Sequence, residues 1–233
     1  MNKLISKIKN FIIKSLDPDI RLVSQHKWTY LLPEDLKHID KIIQSIQETN
    51  IEGEFIETGC ALGGSAIYIG KKKKQERPFR IFDVFEMIPP PTKKDGKDAH
   101  QRFESIKSGQ SKGIDGSDYY GYEDNLLNKV KRHFATASLN PETNNIEFVR
   151  GLYEDALEVS GPVAMAHIDC DWYDSVMVCL NRITPHLSKG GYLIIDDYFD
   201  WSGCKSAVDD FLASSDISFE KYGTRKLYLK KIG

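Results

Sequence analysis

The sequence predicts an α/β fold, a mostly parallel sheet with helices on both faces, N-terminal helices before it and an antiparallel hairpin after it. Three observations carry this. From Glu54 onward, short β-branched apolar runs alternate with amphipathic stretches, the pattern of strands joined by crossover helices. Two of the runs, Val163–Asp169 and Tyr192–Asp196, are nearly all apolar, as strands covered on both faces are. Finally, Ser218–Tyr222 and Lys226–Lys230 flank a short turn at Gly223, so the second must run antiparallel to the first.

The elements follow in order. Leu4, Ile5, Ile8, Phe11, Ile12 and Leu16 recur at helical spacing among lysines, giving a basic amphipathic helix that packs on the domain or a partner, or else touches a membrane surface. A second helix spans Pro33–Glu48, with Glu34 and Asp35 in its first turn and Leu36, Ile39, Ile42, Ile43 and Ile46 as its stripe. Strands are expected at Glu54–Thr58, Phe79–Phe85, Ile146–Arg150, Val163–Asp169 and Tyr192–Asp196, and helices at Gly64–Lys72, Asp174–Leu187 and Lys205–Ser214. The stretch Met87–Phe134 interrupts the alternation with Pro89, Pro90, Pro91, scattered glycines and the group Tyr119, Tyr120, Tyr122. An insertion at a carboxyl edge is placed to act as a lid, and its tyrosines either stack on a ligand ring or fill core space.

With 233 residues, 40% of them apolar, the chain supports one core: an N-terminal helical extension over residues 1–50 and a single domain over 51–233. A formal charge of −2 gives no global attraction to nucleic acid. Cys60, Cys170, Cys179 and Cys204 are scattered without a CxxC pair, as reduced cytosolic thiols are, and no segment is long and apolar enough to span a membrane. A cytoplasmic homodimer or higher homo-oligomer is expected.

Glu57-Thr58-Gly59-Cys60-Ala61-Leu62-Gly63-Gly64-Ser65 lies between the first strand and its helix. Glycines there permit a tight turn and let a ligand approach the N–H groups of a helix N-terminus. Glu57, Thr58, Gly59, Gly63, Gly64 and Ser65 therefore form a candidate cofactor cradle, with close packing as the competing use of the glycines. The run departs from GxGxxG, and the Glu57 carboxylate would repel pyrophosphate while attracting an amino group, which suits S-adenosylmethionine better than NAD. Asp83 ends the second strand 26 residues after Glu57, where doubly wound folds place an acid for ribose hydroxyls; Glu86 competes for that role. Gly151–Ala156 follows the third strand and offers Tyr153 and Asp155 to the adenine side, with helix capping as the alternative for Glu154 and Asp155.

Asp169, Asp196 and Asp197 each close an apolar run, so their carboxylates should emerge together at the carboxyl edge of the sheet. Gathered carboxylates repel one another and hold protons more tightly unless a cation joins them, and oxygen donors favour Mg²⁺ or another hard divalent ion. No ligand role is assigned to Asp171 or Asp174. An iron site of His167, Asp169 and His186 is rejected, because His186 falls at the far end of a helix and the pattern is not that of a barrel; His167 is read as a core or supporting residue. Cys170 has no base beside it, since His167 faces the other side of the strand. Lys71–Lys74 reads as the solvated end of a helix.

Taken together, a parallel sheet closed by a hairpin, Glu57–Gly64, Phe82–Phe85, His167–Ser175 and Leu187–Tyr198 resemble the macrocin O-methyltransferase (TylF-type) family over approximately Thr29 to Phe211. These are metal-dependent enzymes that methylate sugar hydroxyls of antibiotics. The resemblance implies a Rossmann-like class I methyltransferase fold, Mg²⁺ on Asp169, Asp196 and Asp197, and S-adenosylmethionine on Glu57, Asp83 and the glycine turn. It also implies a sugar-containing acceptor from natural-product or polysaccharide biosynthesis, with Asp169 as proton acceptor. The alternatives are a metal-independent small-molecule methyltransferase and a non-catalytic binding protein of the same fold.

Overall fold

The computed structural model describes residues 17–233, so the basic helix expected over residues 4–16 lies outside it. The elements are α1 (Pro18–Gln25), α2 (Pro33–Glu48), β1 (Glu54–Thr58), α3 (Gly64–Lys72), β2 (Phe79–Asp83), α4 (Lys97–Lys107), α5 (Leu126–Thr136), β3 (Ile146–Arg150), α6 (Tyr153–Ala156), β4 (Val163–Ile168), α7 (Tyr173–Ile183), β5 (Leu187–Ile195), α8 (Ser202–Ser214), β6 (Phe219–Tyr222) and β7 (Leu227–Lys231). They build a seven-stranded sheet in the order β3-β2-β1-β4-β5-β7-β6. The pairings from β3 through β5 are parallel; β7 runs antiparallel to both β5 and β6.

Every residue of β4 is buried, because helices cover both faces of the sheet. One face packs Phe55, Ile81 and Met165 against Ile20, Leu36, Ile43, Ile67 and Phe134. The other packs Ile56, Ala166 and Leu193 against Val176, Leu180, Val208 and Phe211. A fully buried side chain of this size stabilises the fold by about 1.5–3 kcal/mol, so the strands form a rigid platform for their carboxyl ends.

Two corrections to the sequence reading concern the first helices. The unexpected α1 is opened by Asp17, whose Oδ1 accepts from the N–H groups of Asp19 at 2.8 Å and Ile20 at 3.3 Å, with Pro18 in the first helical position. The lysine run is not merely solvated. Lys72 Nζ lies 2.7 Å from Asp17 and 3.0 Å from Asp19, Lys71 lies 3.5 Å from Asp19, and buried Lys73 donates to the carbonyls of Lys74, Gln75 and Asn144. The lysines join α3 to α1 and seal the end of α3.

Other boundaries move for local reasons. β2 stops at Asp83, since Phe85 takes φ 51° and donates its N–H to Asp83 Oδ1 at 2.7 Å. α7 ends at Ile183 in a 3-10 turn through Pro185, and β5 starts at Leu187 rather than Tyr192, because proline cannot continue the helical ladder. The expected lid also divides. Parallel β2 and β3 need a crossover helix, and α5 supplies it, leaving residues 84–125 as the insertion. That insertion is tied down at the carboxyl edge: Asp95 Oδ1 accepts from Tyr173 N–H at 2.7 Å, Trp172 Nε1 donates to Pro89 O at 2.9 Å, and Asp98 accepts from Ser202 N–H and Oγ at 2.8 and 2.6 Å.

Candidate active site

The glycine turn leaves β1 and enters α3. Gly59 has φ 85°, and a Cβ there would stand 1.7 Å from the carbonyl oxygen of Asp169; only glycine lets the turn approach the end of β4 so closely. Gly63 holds φ 83° as the residue before α3, and a Cβ on Gly64 would lie 2.5 Å from the Trp28 backbone. Close packing thus accounts for these glycines, while Gly59 and Ser65 also face open cleft. Asp83 supports the turn from β2: Oδ2 accepts from the N–H groups of Cys60 at 2.7 Å and Ala61 at 3.2 Å. Burial nonetheless holds its carboxyl above the usual range, against these bonds and with help from the Glu57 charge.

Glu57 does not face the cleft. Its register partner in β4 is His167, and the two side chains meet inside the sheet, Oε1 lying 2.9 Å from His167 Nδ1. Oε2 of Glu57 and the Thr58 hydroxyl are buried without hydrogen-bond partners. The other ring nitrogen of His167 lies 3.5 Å from Asp196 Oδ1. Burial alone would lower the imidazole, but the hydrogen bonds to Asp196 and Glu57 push it up to about 10, so the ring is a cation linking two carboxylates.

The sheet ladder continues past the strand ends, Asp169 N–H donating to Thr58 O at 2.8 Å and Asp196 N–H to Ile168 O at 2.9 Å. This brings the acids together in two overlapping groups that share Asp169, with Asp196 in one and Asp197 in the other. Ligand atoms of His167, Asp169 and Asp196 lie within 4.8 Å of one another, and so do those of Asp169, Asp171 and Asp197. Asp171, for which the sequence indicates no ligand role, belongs to the second group. Its φ of 56° is a conformation that Asp tolerates better than most residues, and it accompanies the reversal of the chain toward the cluster. Burial, reinforced by neighbouring carboxylates, raises Asp169 and Asp197 well above the ordinary carboxylate range and takes Asp171 to about 6. Asp196 behaves oppositely: burial would raise it, but the hydrogen bond and charge of His167, then Lys226, hold it low.

Lys226 is a second site residue the sequence reading missed. Its Nζ lies 2.6 Å from Asp196 Oδ2 and 3.4 Å from Asp200 Oδ2. Nothing near Lys226 in sequence marks this role; it emerges from the antiparallel register.

Two clefts open here. One, of about 490 Å³, runs between Asp83, Val84, Glu86, Ile88 and Pro89 on one side and Leu152, Tyr153 and Glu154 on the other. Asp155 is exposed and is not among its walls, whereas Glu154, equally exposed, borders the cleft. The second cleft, of about 1190 Å³, is walled by Trp28, Tyr30, Tyr119, Tyr120 and Trp201, by Arg102, Arg225 and Lys226, and by the acid cluster. Gly59, Tyr120, Asp169 and Asp171 wall both. The insertion contributes Tyr119 and Tyr120 directly, their rings tilted by 44° with centroids 4.4 Å apart.

A sheet of this order with a reversed β7, and paired clefts at its carboxyl edge, define a class I methyltransferase. More narrowly, the chain belongs to the macrocin O-methyltransferase (TylF) family, which matches residues 25–221, and it is an S-adenosylmethionine-dependent O-methyltransferase. It is 26% identical over 191 residues to demethyldecarbamoylnovobiocin O-methyltransferase of Streptomyces niveus, covering 79% of this chain and 68% of that one. It is 27% identical over 192 residues to 8-demethyl-8-(2,3-dimethoxy-alpha-L-rhamnosyl)-tetracenomycin-C 4'-O-methyltransferase of Streptomyces olivaceus, covering 78% and 68%. The solved structure of the O-methyltransferase NovP superposes with a TM-score of 0.73 at 24% identity, over 88% of this chain and 82% of that one. These findings bear out the family and fold read from the motifs, and family membership sets aside the non-catalytic alternative.

Proposed function

We propose that the enzyme transfers the methyl group of S-adenosylmethionine to a sugar hydroxyl, carried on an antibiotic glycoside, a nucleotide or a surface polysaccharide, with a divalent cation such as Mg²⁺ held by Asp169, Asp196 and Asp197. The observation that carries this reading is the junction of the clefts, where Gly59, Tyr120, Asp169 and Asp171 wall both chambers. The cation reading has its own support. Asp197 is 7% exposed and its Oδ2 has no hydrogen-bond partner, a costly state for a buried carboxylate unless a ligand meets it. An all-oxygen carboxylate set suits Mg²⁺ better than a thiolate-seeking metal.

S-adenosylmethionine supplies an electrophilic methyl on a sulfonium centre, and a divalent cation supplies Lewis acidity that lowers the pKa of an acceptor hydroxyl. The chain does the rest. Asp83 and Tyr153 border the narrower cleft, whose apolar walls Val84, Ile88, Pro89 and Leu152 suit an adenine ring; Gly59 walls it as well, Ser65 lines the wider cleft, and Thr58, Gly63 and Gly64 hold the turn from β1 into α3. Glu57 acts one step back, by holding His167. Asp169 stands where both clefts meet and takes the acceptor's proton, its basicity increased by burial. Trp28, Tyr119, Tyr120 and Trp201 offer faces for the apolar side of a sugar and keep water out. The rhamnosyl group in the name of the Streptomyces olivaceus relative supports a sugar acceptor. A cytoplasmic homodimer or higher homo-oligomer is the proposed setting.

The test measures S-adenosylhomocysteine formation by chelator-stripped enzyme with a panel of glycosides and nucleotide sugars. Turnover should vanish without divalent cation and return with Mg²⁺. Full turnover in excess chelator would favour the metal-independent alternative, and turnover only with phenols would remove the sugar.

A further inference from the structure

Lys226 reaches the acid cluster through the fold. Ile195 pairs with Leu227 in the β5–β7 ladder, so the next residues outward, Asp196 and Lys226, meet at the carboxyl edge. The ammonium lies 2.6 Å from Asp196 Oδ2 and 3.4 Å from Asp200 Oδ2. These two carboxylates are unlike: the Asp196 side chain is 10% exposed, that of Asp200 58%. The remaining oxygen of Asp196 lies 3.5 Å from His167 Nε2, so both its oxygens have protein partners.

The turn carrying the lysine is fixed. Gly223 holds φ 110°, and a Cβ there would lie 2.1 Å from Lys226 O. Arg225 grips Asp35 of α2 through Nε and Nη2, each at 3.2 Å. What remains free to move is the four-carbon stem of Lys226, and a lysine ammonium is a compact charge with rotatable donors that exchanges partners readily.

Building on the cation reading above, we propose that Lys226 is an internal stand-in for the divalent ion, neutralising Asp196 when the ion is absent and moving to Asp200 when the ion arrives. An ammonium and a divalent cation repel one another on a shared carboxylate. Asp200 is already within reach and, being exposed, receives the ammonium without new burial of charge. The exchange frees Asp196 Oδ2 for the ion and, until the ion arrives, keeps a counter-charge on that oxygen.

Mn²⁺ titration of the ion-stripped full chain tests this, by calorimetry and by the electron paramagnetic resonance signal of free Mn²⁺, with S-adenosylhomocysteine titrated into each variant as a control. Lys226→Met should tighten Mn²⁺ binding about tenfold, because a competing cation is gone, and leave S-adenosylhomocysteine affinity within about twofold of native. Asp200→Asn should weaken Mn²⁺ binding about threefold in the native background and have no effect beside Lys226→Met, since the two residues act as one unit. Mn²⁺ affinity that is unchanged or weaker in Lys226→Met overturns the exchange, whereas a merely structural ion pair would lose stability without gaining affinity. Should Lys226→Met fail to fold, Asp200→Asn decides alone, and unaltered affinity overturns the proposal. A native chain that binds no Mn²⁺ overturns the cation reading and the exchange with it; native binding with unmoved variants overturns the exchange alone.

Discussion

The carboxyl edge of the sheet holds buried carboxylates at two places, and the chain treats them differently. At the end of β2, Asp83 is met by three backbone N–H groups, from Cys60, Ala61 and Phe85, so its charge has a local purpose in tying one loop to another. At the ends of β4 and β5 the carboxylates face one another instead. Asp196 is met by His167 and Lys226, but Asp197 Oδ2 has no donor, and Asp169 and Asp171 sit beside it. Acids supplied with donors hold structure, and acids left facing one another define a site that a ligand completes.

The largest effect that would sharpen this contrast belongs to Asp169. Asp169→Asn should cut turnover about a thousandfold while S-adenosylhomocysteine affinity by calorimetry changes little; a turnover loss under tenfold would place the base elsewhere. Asp83→Asn should behave as a fold mutation, because an amide nitrogen would face N–H donors. Urea unfolding should report a loss of about 1–3 kcal/mol, and unchanged stability would break the comparison. The smallest effect is a pH dependence. An imidazole raised to about 10 from 6.5 binds its proton more tightly when folded, so its stabilisation is complete below pH 6.5 and fades as pH rises through about 10. In chelated protein this gives a slope of at most ~1.4 kcal/mol per pH unit, seen in urea midpoints across that range, and His167→Gln should flatten it. An equally steep slope in the variant would remove His167 from the cluster's charge balance.

Much of the site is legible in order of sequence. Each of Asp169, Asp196 and Asp197 follows an apolar run, so strand direction alone sends them to one edge. Asp83 follows from the same logic, and its spacing from Glu57 is that of a strand-helix-strand unit. Glu57 shows the limit. Position in a strand fixes which face a side chain takes, but not that the same face of the neighbouring strand presents His167 to capture it. Asp171 was hidden by its left-handed backbone, and the difference between Asp155 and Glu154 by a helix of one turn.

The sequence by itself determined the alternation of strands and helices, the reversal at the hairpin and the residues that end each strand, because these depend on local periodicity, turn chemistry and strand direction. Tertiary structure decided which charges touch. Lys226 meets Asp196, Arg225 meets Asp35, and Lys72 meets Asp17 and Asp19 across long stretches of chain. Such pairs are set by register between strands and by packing between helices, where a shift of one residue would turn a side chain to the opposite face.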